Sequence, residues 1–207
     1  MDRSFFTDLL NDELAMNVDD NWDDAALFGP YENEQALLYQ YAECLSARAF
    51  LKMCNLPFKI EQRPNAEHMS PSGEVPFLKV GRLVVADYLP IVDLVAKKGV
   101  KLSDGLTDVE IGELHAHICL LEEVLKNAEM YISWMHEPTL RVVTKRRYGS
   151  VYPWPLSSIL PSLKGRQVCN KLRSFGWADR TIEQVSNFRH SLNTPSFIFA
   201  AAGARRS

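Results

Sequence analysis

Cys44 is one candidate for nucleophilic chemistry in this chain, because it lies near the start of a segment in which Ala47, Phe50, Leu51 and Cys54 recur at helical spacing. A thiol near a helix N-terminus can have a lowered pKa and attack an electrophile. Two features oppose that use: no second cysteine lies three residues away, and the adjacent Glu43 carboxylate disfavours a thiolate. Cys44 is therefore read as a packing cysteine, with Tyr39 and Tyr41 as the hydroxyl candidates at the same turn. His115 and Cys119, four residues apart, could share a metal ion, but His117 falls on another face and no further ligand accompanies them. They are read as helix-surface residues, and no cofactor or metal is expected. Arg141 and the run Lys145-Arg146-Arg147 lie near a helix end, where cations suit the helix dipole and could also meet anionic headgroups. Tyr148, Tyr152 and Trp154, stiffened by Pro153 and Pro155, form an aromatic loop that is either a plug between helices or a recognition surface. Tyr148, Tyr152, Trp154, Arg146 and Arg147 are the candidates for a partner interface.

The elements that position these residues follow from periodicity. Residues 36–39 read as a short strand and 42–55 as a helix that ends at Leu56-Pro57. Alternation of Phe58, Ile60 and Gln62 with Lys59, Glu61 and Arg63 predicts a second strand, and 64–73 a Pro/Ser-rich loop. Val75-Pro76 opens an apolar strand at 77–80, Gly81-Arg82 makes a two-residue turn, and 83–85 return as a hairpin arm. A helix then starts at Asp87, whose residue type suits an N-cap. This order predicts an α/β domain whose first two strands run parallel through a right-handed crossover.

The remainder reads as all-α. Thr107 and Glu110 form a capping box, after which Ile111, Leu114, Ile118, Leu121, Leu125, Ala128, Ile132 and Met135 make one apolar stripe, with Val124 and Tyr131 off it. One helix of ~45 Å follows at 1.5 Å per residue. Further helices are expected over 139–147, over 156–175 with a bend near Pro161 or Gly165, and over 179–192.

Composition narrows the function. The chain has 207 residues, 46% of them hydrophobic, and a formal net charge of -3, which argues against a broad nucleic-acid surface. Four cysteines without CxxC or zinc spacing suit reduced core thiols. No apolar run reaches the ~18 residues that span a bilayer, so any membrane association is expected to be indirect. The first 24 residues carry eight acidic side chains against Arg3 alone, the reverse of a matrix-targeting presequence. Within them Phe5, Phe6, Leu9, Leu10 and Leu14 could line a short helix that docks on a partner or folds back on the body.

The hairpin and its flanks resemble the glutathione-binding half of a glutathione transferase, with a thioredoxin-like N-terminal domain and a helical C-terminal domain. In that family a cis proline opens the first hairpin strand, so the resemblance implies that Pro76 is cis. The same family places a Glu or Gln followed by Ser at the helix N-terminus to hold the γ-glutamyl end of glutathione. Here the two positions are Ala86 and Asp87, and Asp87 would repel the ligand's carboxylate. Tyr41 falls nearest to the transferase residue, so the resemblance makes it a better candidate than Cys44 for any activity.

Three segments carry a closer resemblance: Phe50-Leu-Lys-Met-Cys-Asn-Leu-Pro57, Asn65-Ala-Glu-His-Met-Ser-Pro-Ser-Gly-Glu-Val-Pro-Phe77 and Arg147-Tyr-Gly-Ser-Val-Tyr-Pro-Trp-Pro-Leu156, with Leu102 to Leu106 and Phe175-Gly-Trp177 beside them. They are similar to the metaxin family, and the match runs over about 36–199. The resemblance implies a non-enzymatic adaptor, peripheral on the cytosolic face of the mitochondrial outer membrane. Its implied partners are a metaxin 1-like subunit in a heterodimer, the outer-membrane sorting and assembly machinery for β-barrel import, and mitochondrial Rho GTPase with kinesin and dynein adaptors. The alternative is a cytosolic glutathione-dependent transferase or thiol reductase. The expected domains are an acidic segment 1–33, a thioredoxin-like domain 34–99, an apparently shortened helical domain 100–199 and a disordered tail 200–207 that reads as a truncation or variant. A shortened bundle would leave the helix from Thr107 with an uncovered face and make the isolated chain self-associate.

Overall fold

The computed structural model describes residues 22–193, with side chains through Asn187. The expected N-terminal helix around Phe5 to Leu14 and the tail 200–207 lie outside the described residues. The chain divides after Asp104 into two units, each with its own core.

The first unit is a mixed sheet in the order β2-β1-β3-β4, with β1 Ala26–Gly29, β2 Lys59–Gln62, β3 Phe77–Val80 and β4 Leu83–Ala86. β1 and β2 are parallel, with Ala26 beside Lys59, whereas β1 and β3 are antiparallel, with Phe28 beside Phe77. The hairpin turns at Gly81, whose φ of 57° suits glycine. Between β1 and β2 runs α1, Leu38–Met53, whose buried side chains include Cys44, Ala47, Phe50 and Leu51. After β4 comes α3, Tyr88–Lys97, which buries Ile91, Leu94 and Val95. Leu27, Leu51, Leu78, Val80, Ile91 and Val95 form the main core, each with no more than 3% of its surface exposed.

Two expectations change here. The first strand is Ala26–Gly29, inside the stretch read as part of the acidic segment, and residues 36–39, read as that strand, lead into α1 instead. The run Ala36-Leu-Leu-Tyr39 looks extended on hydrophobicity alone, but Leu37, Gln40, Cys44, Ala47 and Leu51 are buried at steps of three and four, the period of a helix. The stretch 64–73, read as a loop, contains a short helix, α2, Ala66–Met69.

In the second unit Thr107 caps α4, Asp108–Leu120: its hydroxyl accepts from the Glu110 N–H at 3.4 Å, and the Glu110 carboxylate accepts from the Thr107 N–H at 2.9 Å. The helical path continues as a π-helical stretch, Leu121–Lys126, into α5, Asn127–Trp134. Then follow α6 Glu137–Thr139, π-helical Leu140–Thr144, α7 Lys145–Gly149, α8 Leu156–Ser174 and α9 Ile182–Asn193. Trp134, Met130, Val168, Leu172 and Val185 form this unit's core. Gly149 lies so close to α8 that a Cβ there would sit 2.4 Å from the Ser157 carbonyl oxygen.

The long helix is covered differently from the expectation. Tyr131, assigned to the uncovered face, is half-buried and donates its hydroxyl to the Arg180 carbonyl at 2.6 Å. The main stripe is covered unevenly: Ala128 is fully buried, Ile111, Ile118, Leu125, Ile132 and Met135 are half-buried, and Leu114 and Leu121 are exposed.

Candidate functional site

The ends of β1 and β3, the start of α1 and the turn before α3 converge on Cys44. Cys44 packs with Ala66, Val75 and Phe77, and Phe28 and Ala86 close over the same cluster. Phe28 stacks on Phe77 with ring centroids 4.7 Å apart, as cross-strand neighbours can. A Cβ at Gly29 would come within 3.0 Å of the Cys44 sulfur, so the small residue makes room for the thiol. Burial, followed by the Glu43 carboxylate, pushes the Cys44 thiol up to about 12. That is the opposite of nucleophile activation. The void beside Cys44, walled by Gly29, Pro30, Glu32, Arg48 and Gln62, measures about 10 Å³, room for roughly one water molecule. Arg48 and Glu32 form an ion pair on its wall.

Several polar groups around this cluster bond to one another, although the buried Nε of Arg48 on the void's wall makes no hydrogen bond. The Gln40 side chain accepts from the Leu37 N–H at 3.0 Å and donates to the buried Glu67 carboxylate at 2.7 Å. Gln35 donates to the Pro64 carbonyl at 2.8 Å, so two glutamines tie the segment around α2 to the start of α1. The sequence reading passed over Gln35, Gln40 and Glu67, because polar residues within an apolar stripe carry no signal until their partners are known. Val75-Pro76 is cis, as is Trp154-Pro155, which the sequence reading did not single out.

Asp87 occupies the N-cap position of α3 but makes no side-chain cap bond, contrary to its expected role. Its backbone is at φ 70°, ψ 158°, a region that favours glycine, and its carboxylate accepts from the Ser72 hydroxyl at 3.2 Å. The Asp87 N–H donates to the Pro76 carbonyl at 3.1 Å, which ties the helix start to the proline strand. The other hydroxyl candidates separate: Tyr39 is buried, whereas Tyr41 is exposed.

The candidates of the second unit also divide. Tyr148, proposed for an interface, is 2% exposed and packs edge-to-face on Trp134 at 5.5 Å, so it is a core residue. Tyr152 is half-buried beside it, 6.4 Å between centroids, and Arg147 is half-buried as well. Trp154, by contrast, is 85% exposed, and Arg146 is exposed. The aromatic loop thus has a plug at one end and a free indole at the other. His115 and Cys119 are both exposed, and no group of three or more His, Cys, Asp or Glu able to hold a metal occurs among the described residues. No helix among the described residues is long and apolar enough to cross a membrane.

The sheet order, the cis-proline hairpin and the helical unit define a glutathione-transferase-like protein, a thioredoxin-like unit with a helical one. A model described as "Glutathione S-transferase N-terminal domain" matches residues 42–139. The Metaxin-2 homolog of Caenorhabditis elegans is 43% identical over 179 residues, which cover 86% of this chain and 78% of that protein. Metaxin-2 of Homo sapiens is 46% identical over 163 residues, 79% of this chain and 62% of that protein, and Metaxin-3 of Xenopus laevis is 27% identical over 132 residues, 64% of this chain and 42% of that protein. The chain belongs to the metaxin family, with metaxin 2 the branch it matches at 43 to 46%. It thus spans less than two thirds of the human relative's length. No solved structure matches it at a significant level.

Proposed function

We propose that the chain is a non-catalytic subunit that pairs with a metaxin 1-like protein at the cytosolic face of the mitochondrial outer membrane. There the pair serves the sorting and assembly of β-barrel proteins and links mitochondria to motors through mitochondrial Rho GTPase and kinesin or dynein adaptors. What carries the non-catalytic part is the closed cluster at Cys44: a buried thiol held protonated to about 12, beside a void of about 10 Å³. A thiol reductase needs an ionisable thiol, and a glutathione-using enzyme of either kind needs a cleft for the tripeptide, ligand clefts running to roughly 300 Å³ or more. The resemblance to metaxin 2 supports the remainder of the reading.

The test is paired. Titration calorimetry with millimolar glutathione should give no binding heat, and a tagged copy of this chain expressed in cells should recover a metaxin 1-like subunit from solubilised outer membranes. Saturable glutathione binding would overturn the non-catalytic reading. Recovery of the chain alone, without any glutathione-transferase-like partner, would overturn the pairing.

A further inference from the structure

Residues 138–178 contain eight Lys and Arg and no Asp or Glu. Taking that +8 from the chain's net -3 leaves -11 on all other residues, so charge is sharply segregated along the sequence. The segment runs from the end of α6 through α8 to Ala178, and its exposed residues are of two kinds. Lys145, Arg146, Arg166 and Arg173 are exposed cations. Val142, Trp154, Leu156, Ile159 and Leu163 are exposed apolar side chains, Val142 at 67% and Trp154 at 85%. On α8 the kinds adjoin, because Ile159, Leu163, Arg166 and Asn170 follow at steps of four, three and four along one stripe. Beside that stripe opens a cleft of about 430 Å³ with Trp134, Pro161 and Gly165 on its wall, and Lys145, Arg166 and Arg173 are its charged lining residues. Arg173 also donates to the Asn170 side chain at 2.9 Å, which holds one guanidinium in place.

We infer that this face docks directly on an anionic lipid bilayer, with Trp154, Leu156, Ile159 and Leu163 in the interfacial layer and the cationic cleft taking lipid phosphate. Three features select a lipid surface over an acidic protein. An exposed indole between two prolines suits the headgroup region, where one end of the ring is apolar and the other wet. The exposed aliphatics lie beside the cations rather than apart from them, as in interfacial amphipathic helices. The cleft offers donors and no carboxylate among its lining residues, which matches a phosphate. This goes beyond the proposed function, in which a partner carries the chain to the membrane.

The test is vesicle flotation with the full chain and no partner. Phosphatidylcholine vesicles are compared with vesicles in which roughly a third of the lipid is phosphatidylglycerol, the anionic fraction supplying the surface potential. Partitioning to anionic vesicles should exceed that to neutral ones by at least about tenfold and fall with added salt, since each juxtamembrane cation contributes about fivefold. Lys145→Glu with Arg166→Glu should abolish the preference. The charge-matched control Lys52→Glu with Lys101→Glu, outside the segment, should leave it in place. Trp154→Ala should weaken binding several-fold, and the wild-type tryptophan emission should shift to the blue on binding. Equal binding to both vesicle types, or an equal loss in the control, would overturn the assignment. Binding to polyglutamate without binding to vesicles would assign the face to an acidic protein instead. None of these outcomes bears on pairing with a metaxin 1-like subunit.

Discussion

Alkylation of the folded protein separates a packing thiol from a catalytic one at Cys44. Iodoacetamide reacts with thiolate, so the native rate at each cysteine scales with its thiolate fraction and its access. An unperturbed cysteine of pKa ~8.5 is about one-quarter thiolate at pH 8. Cys44, held to about 12, is ionised at only about one part in ten thousand at that pH. The chemistry alone therefore sets Cys44 about a thousandfold or more behind an ordinary thiol, and its 6% exposure removes access as well. Cys119 is exposed and serves as the internal reference. Expected is rapid modification of Cys119 while Cys44 stays unmodified until the protein unfolds, read by peptide mass spectrometry over a time course with and without denaturant. Cys44 labelling within tenfold of Cys119 in the native protein would refute the reasoning, for it would require an open site and a thiol ionising near neutrality.

Three further outcomes are expected. Unfolded Cys44 loses its proton near the ordinary thiol pKa while the folded thiol keeps it to about 12, so over that window the unfolded state binds fewer protons and stability falls as pH rises. Burial raises Cys54 and Tyr88 in the same direction, and denaturant unfolding from pH 8 to 11 should show a decline that is shallower in Cys44→Ala. Asp87→Gly should raise the thermal midpoint by a few degrees: relief of about 1–3 kcal/mol of backbone strain exceeds the ~0.5–1 kcal/mol of added freedom in the unfolded chain. A lower midpoint would show that the Ser72 hydrogen bond outweighs the strain. Gly149→Ala should cost about 1–3 kcal/mol in urea unfolding, because the new methyl meets the Ser157 carbonyl, and an unchanged midpoint would mean that α7 and α8 do not approach that closely.

The hairpin was the most legible part of the sequence. Val75-Pro76, Gly81-Arg82 and the apolar arms fix β3 and β4 through purely local chemistry, and the Thr107–Glu110 capping box fixes the start of α4 in the same way. β1 was missed because Ala25-Ala-Leu-Phe-Gly29 is short and sits between Asp23-Asp24 and Pro30, so its neighbours' acidity masked it. Its strand character comes from two long-range pairings, with β2 and β3, that no local pattern announces. Asp87 was placed correctly at the helix start, yet its role depends on a positive φ that the sequence does not encode for a non-glycine residue. Tyr148 and Trp154 are equally aromatic and six residues apart. Only the packing of Trp134 decides that the first is core and the second is surface.

The proposed non-catalytic reading rests on where this chain's polar groups point rather than on how many it has. A binding cleft keeps donors and acceptors unpaired toward an opening, so that the ligand satisfies them. Here Gln40 reaches Glu67, Gln35 reaches Pro64, and Ser72 reaches Asp87, while Ala86 turns to the apolar cluster around Cys44. Opening such a site for glutathione would break these hydrogen bonds, of which the buried Gln40–Glu67 pair is worth about 1 kcal/mol or more, before any contact with the ligand formed. Restoring one residue, for example by Asp87→Ser, leaves those costs in place, and tight glutathione binding is not expected from it.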